Sequence, residues 1–420
     1  MVKTMLKFMA ATVVLIVVAV VVFWYQPWSE SSPSVLASTF NPETRVENFR
    51  SMETKFPAAQ IKASGSGKQW PGLETATPID IDYRFRGETR QLSEFIERTT
   101  TTGLLVLKNG KALHEQYLFG ERASDTHTSW SVAKSFTSTL VGMLLDDGKI
   151  KSLDDPIDTY IPALQGTAYG AASIEAVLQM SSGIDFEERY GKPGSNSAFT
   201  MSDAQKILYR TWLLGESMNE LLAAYPKKEE PGTRFEYRSS DTHVLAWLVQ
   251  EIEGEPFAKI VQDRIWQPLG MTKNASWLYD GASDPMPIGF CCLQATLRDF
   301  ARLGELYRLG GVWQGQQILS PEWIGAATTP KGDHMQAGVA TPTYGYGYQW
   351  WVPENSDREY LARGIWGQYV WVDEVAGVVI SRTSVDERFA ANLAETTVTF
   401  RAIVQAVAPE ARASATSASQ

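Results

Sequence analysis

Read for apolar and polar positions, the chain changes character several times. Residues 8–25 are an almost unbroken apolar run rich in Val, Leu, Ile and Ala; Lys3 and Lys7 precede it, and no Lys or Arg follows until Arg45. A run of about 18–20 residues just spans a bilayer, and the charge asymmetry puts the N-terminus in the cytoplasm and the remainder outside. The pattern next predicts a hairpin, because 103–108 and 111–117 are β-rich and flank Asn109-Gly110, a pair suited to a type I′ turn. A loop over 119–128 leads to a helix in which Phe136, Leu140, Val141, Met143, Leu144 and Leu145 share an apolar side. Asp146, Asp147 and Gly148 end it, with Gly148 as the residue after the cap.

From Lys149 to about Met286 the helical period dominates, with a short capped segment at 173–180 and longer amphipathic ones at 202–224 and 242–253. Helix signals return over 296–309. After Tyr344 the pattern switches to strands at 344–352, 359–365, 368–372 and 377–383, followed by a last helix over 392–407. Strands, helix, helical insert, strands and helix make an α+β order: an antiparallel β-sheet flanked by helices, with a mostly helical inserted subdomain at about 149–290.

The organisation follows. Residues 1–28 form a membrane anchor or signal segment, 29–85 a Ser/Pro-rich polar linker and N-terminal extension, 86–408 the folded body, and 409–420 a small-residue disordered tail. Trp24, Tyr25 and Trp28 at the outer edge of the apolar run resemble interface aromatics and favour an anchor in the inner membrane; cleavage near Val35-Leu36-Ala37 is the alternative, giving a secreted protein. Either way the body is exported to the periplasm or beyond. The net charge of −10 comes without a basic stripe, which argues against a nucleic-acid partner. Cys291 and Cys292 are adjacent; neighbouring cysteines bridge only with strained geometry, so they are expected to be small buried residues. Neither they nor His114, His127, His243 and His334 show metal-ligand spacing, and no cofactor is expected.

The candidate chemistry starts at the serine helix. Ser131 and Lys134 are three apart, so they share a helix face with Cβ atoms about 5–6 Å apart. A serine hydroxyl needs an adjacent base to become a nucleophile, and a lysine can be that base when burial holds it neutral. The helix start also favours negative charge on the serine oxygen. A third group stands in the stretch 231–241: Pro231-Gly232 makes a turn, a short extended piece carries Tyr237, and Thr242 begins an apolar helix. A tyrosine hydroxyl near a lysine can relay a proton to a leaving group. No G-x-S-x-G occurs, and the strand–elbow–helix of an α/β-hydrolase is absent.

Three segments then resemble, in order, the motifs of the serine β-lactamase-like family: Ser131-Val132-Ala133-Lys134, Pro231-Gly232 to Tyr237-x-Ser239, and Ala362-Arg363-Gly364-Ile365-Trp366-Gly367-Gln368. That family includes class C β-lactamases, DD-peptidases, esterases and 6-aminohexanoate-dimer hydrolases, and the wording of 235–242 most resembles the last branch. The resemblance implies a β-lactamase/transpeptidase-like fold, Ser131 as acylated nucleophile, Lys134 as its base and Tyr237 as proton relay. It implies an oxyanion hole from the backbone N–H of Ser131 and of Ile365, and substrate contacts at Tyr190 and at Ser239 of the second motif; Trp366, in the aromatic-rich strand set of the third motif, is expected to line an apolar substrate cleft. The partner is then a small-molecule amide or ester. β-Lactamases and DD-peptidases of this family carry Lys or His followed by Thr-Gly at the third motif, and β-lactamases usually carry Asn at the position of Ser239. Here Gly364-Ile365-Trp366-Gly367 and Ser239 stand instead. These departures favour an amidase or esterase over β-lactam hydrolysis and leave Arg363 as a substitute clamp for a carboxylate. A non-catalytic sensor of peptidoglycan fragments or β-lactams on the same fold is the alternative.

Overall fold

The computed structural model describes residues 2–25, 32–65, 67–189 and 202–410. The frame that carries the site is a seven-stranded sheet. Its strands are β1 (Thr101–Lys108), β2 (Lys111–Tyr117), β3 (Tyr344–Tyr346), β4 (Trp351–Pro353), β5 (Glu359–Gly364), β6 (Gln368–Asp373) and β7 (Val378–Ser384). They lie in the spatial order β3-β4-β5-β6-β7-β1-β2, each antiparallel to its neighbour. The hairpin turn forms as its sequence dictates, with Asn109 (φ 48°) and Gly110 (φ 73°) both left-handed. The chain returns from the helical insert to pair β7 with β1, Ile380 opposite Val106.

The period of two sorts these strands into two cores. Leu105, Leu107, Val370, Val372 and Val379 face one core, and Leu104, Val106, Tyr369, Trp371, Val378 and Ile380 face the other. Each such side chain, fully buried, contributes about 1.5–3 kcal/mol. Around the sheet stand the helices α1 (Val2–Tyr25), α2 (Pro33–Thr39), α3 (Arg45–Arg50), α4 (Ala133–Asp146), α5 (Ser239–Glu253), α6 (Leu297–Arg308) and α7 (Leu393–Val407), among others. Helix α6 lies directly on the first face, where a Cβ on Gly304 would come within 2.6 Å of Val370 Cγ1. Helix α7 covers the other face, with Phe400 edge-on to Tyr369 and Trp371. Helix α4 is sunk in the first core with Phe136, Leu140, Val141 and Leu144 all buried, and Gly148 closes it in the left-handed region (φ 67°).

A second, four-stranded sheet orders Ala58–Ile61, Ala275–Leu278, Leu293–Ala295 and His127–Thr128. It pins the chain just before Ser129 and so aims the start of α4. Helix α1 is exposed along residues 3–25, and Lys3–Tyr25 is long and apolar enough to cross a membrane.

Several expectations change here. The segment 202–224 is two helices, Asp203–Leu214 and Met218–Ala223, because Gly215 takes a left-handed cap (φ 68°) and Ser217 caps the second. The helix expected from Thr242 starts earlier, at Ser239, which places Ser239 on its first turn. The stretch read as a linker is packed in part: Leu36, Phe49, Met52 and Phe56 are buried in the first core. Isolated large side chains spaced through polar sequence were enough to anchor it. Cys291 and Cys292 are buried as expected but are joined in a vicinal disulfide. A turn makes this bond reachable: Cys291 N–H donates to the Ile288 carbonyl (3.1 Å) and Cys292 is left-handed (φ 71°).

Candidate active site

Ser131 sits in a single 3₁₀ turn, Trp130–Val132, that feeds α4. The preceding Trp130 is left-handed (φ 43°), a conformation a non-glycine residue holds only when its surroundings compel it. The first bond of the turn runs from Val132 N–H to the Ser129 carbonyl (3.1 Å). The Ser131 N–H lies ahead of that bond, among the helix-start donors that have no partner within the helix. The end of β5 presses against it. A Cβ on Gly364 would lie 2.6 Å from the Ser129 carbonyl oxygen and 3.1 Å from the Ser131 nitrogen, so only glycine lets the third-motif strand approach the nucleophile. Ile365 follows in the next turn.

One helical turn on, Lys134 Nζ is 3.2 Å from Ser131 Oγ, 2.9 Å from Ser239 Oγ and 3.0 Å from the Phe290 carbonyl oxygen. The ammonium is fully desolvated, which lowers the Lys134 pKa to about 7 against the opposing pull of the Glu188 and Asp241 carboxylates. The hydrogen-bond inventory then assigns each contact. A neutral amine has two N–H bonds and one lone pair. The Phe290 carbonyl can only accept. The Ser239 hydroxyl donates to Glu188 Oε1 at 2.8 Å, so its oxygen accepts from Lys134. Both N–H bonds are thereby used, and the lone pair is left facing the Ser131 hydroxyl.

Tyr237 completes the group. Its ring lies 5.2 Å from Lys134 Nζ, stacks on Trp351 (5.4 Å) and meets Tyr346 edge-on (6.3 Å). Burial foremost, and then the Glu188 carboxylate, push its phenol well above the ordinary range, while hydrogen bonding to Ser131 and the Arg363 charge work the other way. The phenol therefore stays protonated and can pass a proton rather than hold a charge.

These groups open onto a cavity of about 220 Å³. Ser131, Glu188, Tyr237 and Arg363 supply its polar wall, and Trp351, Ile365, Tyr369, Phe389 and Leu393 its apolar one. Arg363 stacks over the Trp351 ring at 3.9 Å. Among the described residues, no cluster of three His, Cys, Asp or Glu side chains could hold a metal ion.

The structure brings Ser131, Lys134, Tyr237, Ser239 and Ile365 together. Ser239 meets Lys134 and Glu188 rather than lining the cavity. Trp366, expected to touch substrate, does not line it either: its indole packs against Phe40 and Phe49 from α2–α3. Tyr190 lies outside the described residues. Sequence reasoning missed Glu188, which sits in a run of charged loop residues without periodicity, and the Phe389–Leu393 wall, which no local signal marks. A Glu188→Gln variant is expected to shift the acid limb of kcat/KM to lower pH, because the carboxylate it removes raises the Lys134 pKa. A pH profile of the two proteins checks this.

A model of the Beta-lactamase family matches residues 90–395 of the chain. The chain is 30% identical over 321 residues to the 6-aminohexanoate-dimer hydrolase of Paenarthrobacter ureafaciens, covering 74% of this chain and 80% of that protein. Among solved structures, a Bacillus anthracis protein provisionally named a 6-aminohexanoate-dimer hydrolase superposes with a TM-score of 0.77 at 24% identity, over 88% of this chain and 96% of that one. EstCE1, a hydrolase with promiscuous acyltransferase activity, superposes with a TM-score of 0.51 at 17% identity, over 71% and 94%. The last two likenesses are of fold.

Proposed function

The chain belongs to the Beta-lactamase family, with its β-lactamase/transpeptidase-like fold, and on that footing we propose that it is a serine hydrolase cleaving small amides or esters through an acyl-enzyme on Ser131. The observation that carries this is the buried Lys134 amine, with Nζ 3.2 Å from Ser131 Oγ. Lys134 takes the hydroxyl proton as Ser131 Oγ bonds to the substrate carbonyl carbon. The oxyanion forms against the N–H groups of Ser131 and Ile365, where one donor of this kind is worth about 10²–10³ in rate. Tyr237 passes the proton to the departing amine or alcohol, and water then hydrolyses the ester on Ser131. Arg363, braced on Trp351 at the cavity wall, offers a cation for a carbonyl or carboxylate of the acyl group.

The relative from Paenarthrobacter and the missing third-motif Lys-Thr-Gly support linear amides or esters over β-lactams. We also place residues 86–408 as the hydrolase domain, outside the inner membrane and held to it by α1. Cleavage after Ala37 would cut within α2, whose Leu36 and Thr39 are buried, which supports a retained anchor.

The test is a substrate panel with the full-length chain in detergent: p-nitrophenyl esters, a linear 6-aminohexanoate-type dimer and the chromogenic cephalosporin nitrocefin. Ester or linear-amide turnover with little nitrocefin hydrolysis is expected. Fast nitrocefin cleavage would contradict the substrate assignment, and an enzyme inert to every substrate would leave a binding protein.

A further inference from the structure

Two residues that flank the oxyanion donors share an unusual backbone. Trp130 (φ 43°) precedes Ser131 and Trp366 (φ 62°) follows Ile365. A left-handed tryptophan is costly on its own, so other contacts must hold each in place. The same side chains hold both. Phe40, just after α2, stacks on Trp130 (5.9 Å) and on Trp366 (6.2 Å). Phe49 of α3 meets Trp130 (5.3 Å) and Trp366 (5.6 Å) edge-on. The Arg45 guanidinium lies 4.7 Å over the Trp366 ring and is ion-paired with Glu387 at 2.5 Å, in the loop that leads to the cavity residues Phe389 and Leu393. Two side chains of one short segment, Phe40 and Phe49, thus bridge the turn bearing one donor to the turn bearing the other, and a third, Arg45, ties the second turn to the Glu387 loop.

We propose that α2–α3 is a brace for the oxyanion hole, and that Phe40, Arg45 and Phe49 are positioning residues for the reaction. The inference rests on the reading of Ser131 and Ile365 N–H as the oxyanion donors. Neither Phe40 nor Arg45 lines the cavity. Their work is to keep two donors from separate elements aimed at one point, a geometry in which small displacements are costly.

Phe40 makes the cleaner test, because it is 37% exposed whereas Phe49 is fully buried. In the full-length chain, Phe40→Ala is expected to lower kcat about tenfold with KM within about twofold. Affinity for an aryl boronic acid, whose adduct with Ser131 puts an oxygen in the oxyanion position, should fall in parallel. Phe40→Tyr should restore both. Active sites are counted by fluorophosphonate titration, so that unfolded protein does not enter the rates; if Phe40→Ala yields no titratable sites, Arg45→Met is read in its place. A folded variant with unchanged kcat and unchanged boronate affinity would overturn the brace. So would a loss confined to the number of titratable sites. A wild-type protein that fluorophosphonate does not label at all would instead remove the acyl-enzyme reading beneath it.

Discussion

Replacing Ser131 by alanine is expected to lower kcat on the preferred ester by about 10⁴- to 10⁶-fold while the melting temperature changes little. Removing a nucleophile forfeits the covalent route entirely, and the residual rate comes from binding and the oxyanion donors alone. The fold should tolerate the change. Ser131 is 8% exposed at the cavity floor, and the partner it loses, Lys134, keeps its bonds to Ser239 and the Phe290 carbonyl. Steady-state kinetics with a melting curve on the same preparation checks both halves.

The second large effect concerns the base. Lys134→Met is expected to cost about 10⁴-fold in kcat/KM, the upper end of positioned proton transfer. The unsubstituted enzyme carries a matching signature in its pH dependence. Desolvation lowers the Lys134 pKa to about 7, and only the neutral amine can take the serine proton. Activity should therefore be full above that pKa and fall about tenfold per pH unit below it. The direction is fixed by the sign of the shift: a lysine near its ordinary pKa, about 10.4, would leave the enzyme almost inactive at neutral pH and rising steeply into the alkaline range. The Tyr237 phenol, pushed the other way, should add no limb near neutrality. A bell centred well above pH 9 would refute the assignment of Lys134 as a desolvated base.

What could be read from the sequence was local. The three-residue spacing of Ser131 and Lys134 needs only the helical period, and the Asn109-Gly110 turn only its own φ preferences. The Pro231-Gly232 turn before an apolar helix likewise placed Tyr237 on a loop just ahead of that helix. From 359 onward the strand-rich end read correctly because strands covered on both faces leave near-continuous apolar runs between turns, whereas the run at 344–352 divides into two paired strands, β3 and β4. What escaped was decided across the chain. The partner that fixes the Ser239 hydroxyl is Glu188, 51 residues earlier, and nothing in its neighbours marks it. Trp366 looked like a cleft residue from its strand context, yet its left-handed backbone turns the indole toward Phe40 and Phe49. The N-terminal stretch looked like a linker because composition averages over its few anchoring side chains. The vicinal disulfide depends on one left-handed residue, Cys292, that no periodicity signals.

The central claim is that one hydroxyl becomes covalently acylated. Its most direct test is to treat the full-length enzyme with a fluorophosphonate, digest it and locate the adduct by mass spectrometry. A single adduct on the peptide bearing Ser131, formed faster as pH rises through about 7 and absent from Ser131→Ala, is the expected result. An adduct on another residue, or equal labelling of the Ser131→Ala protein, would contradict it.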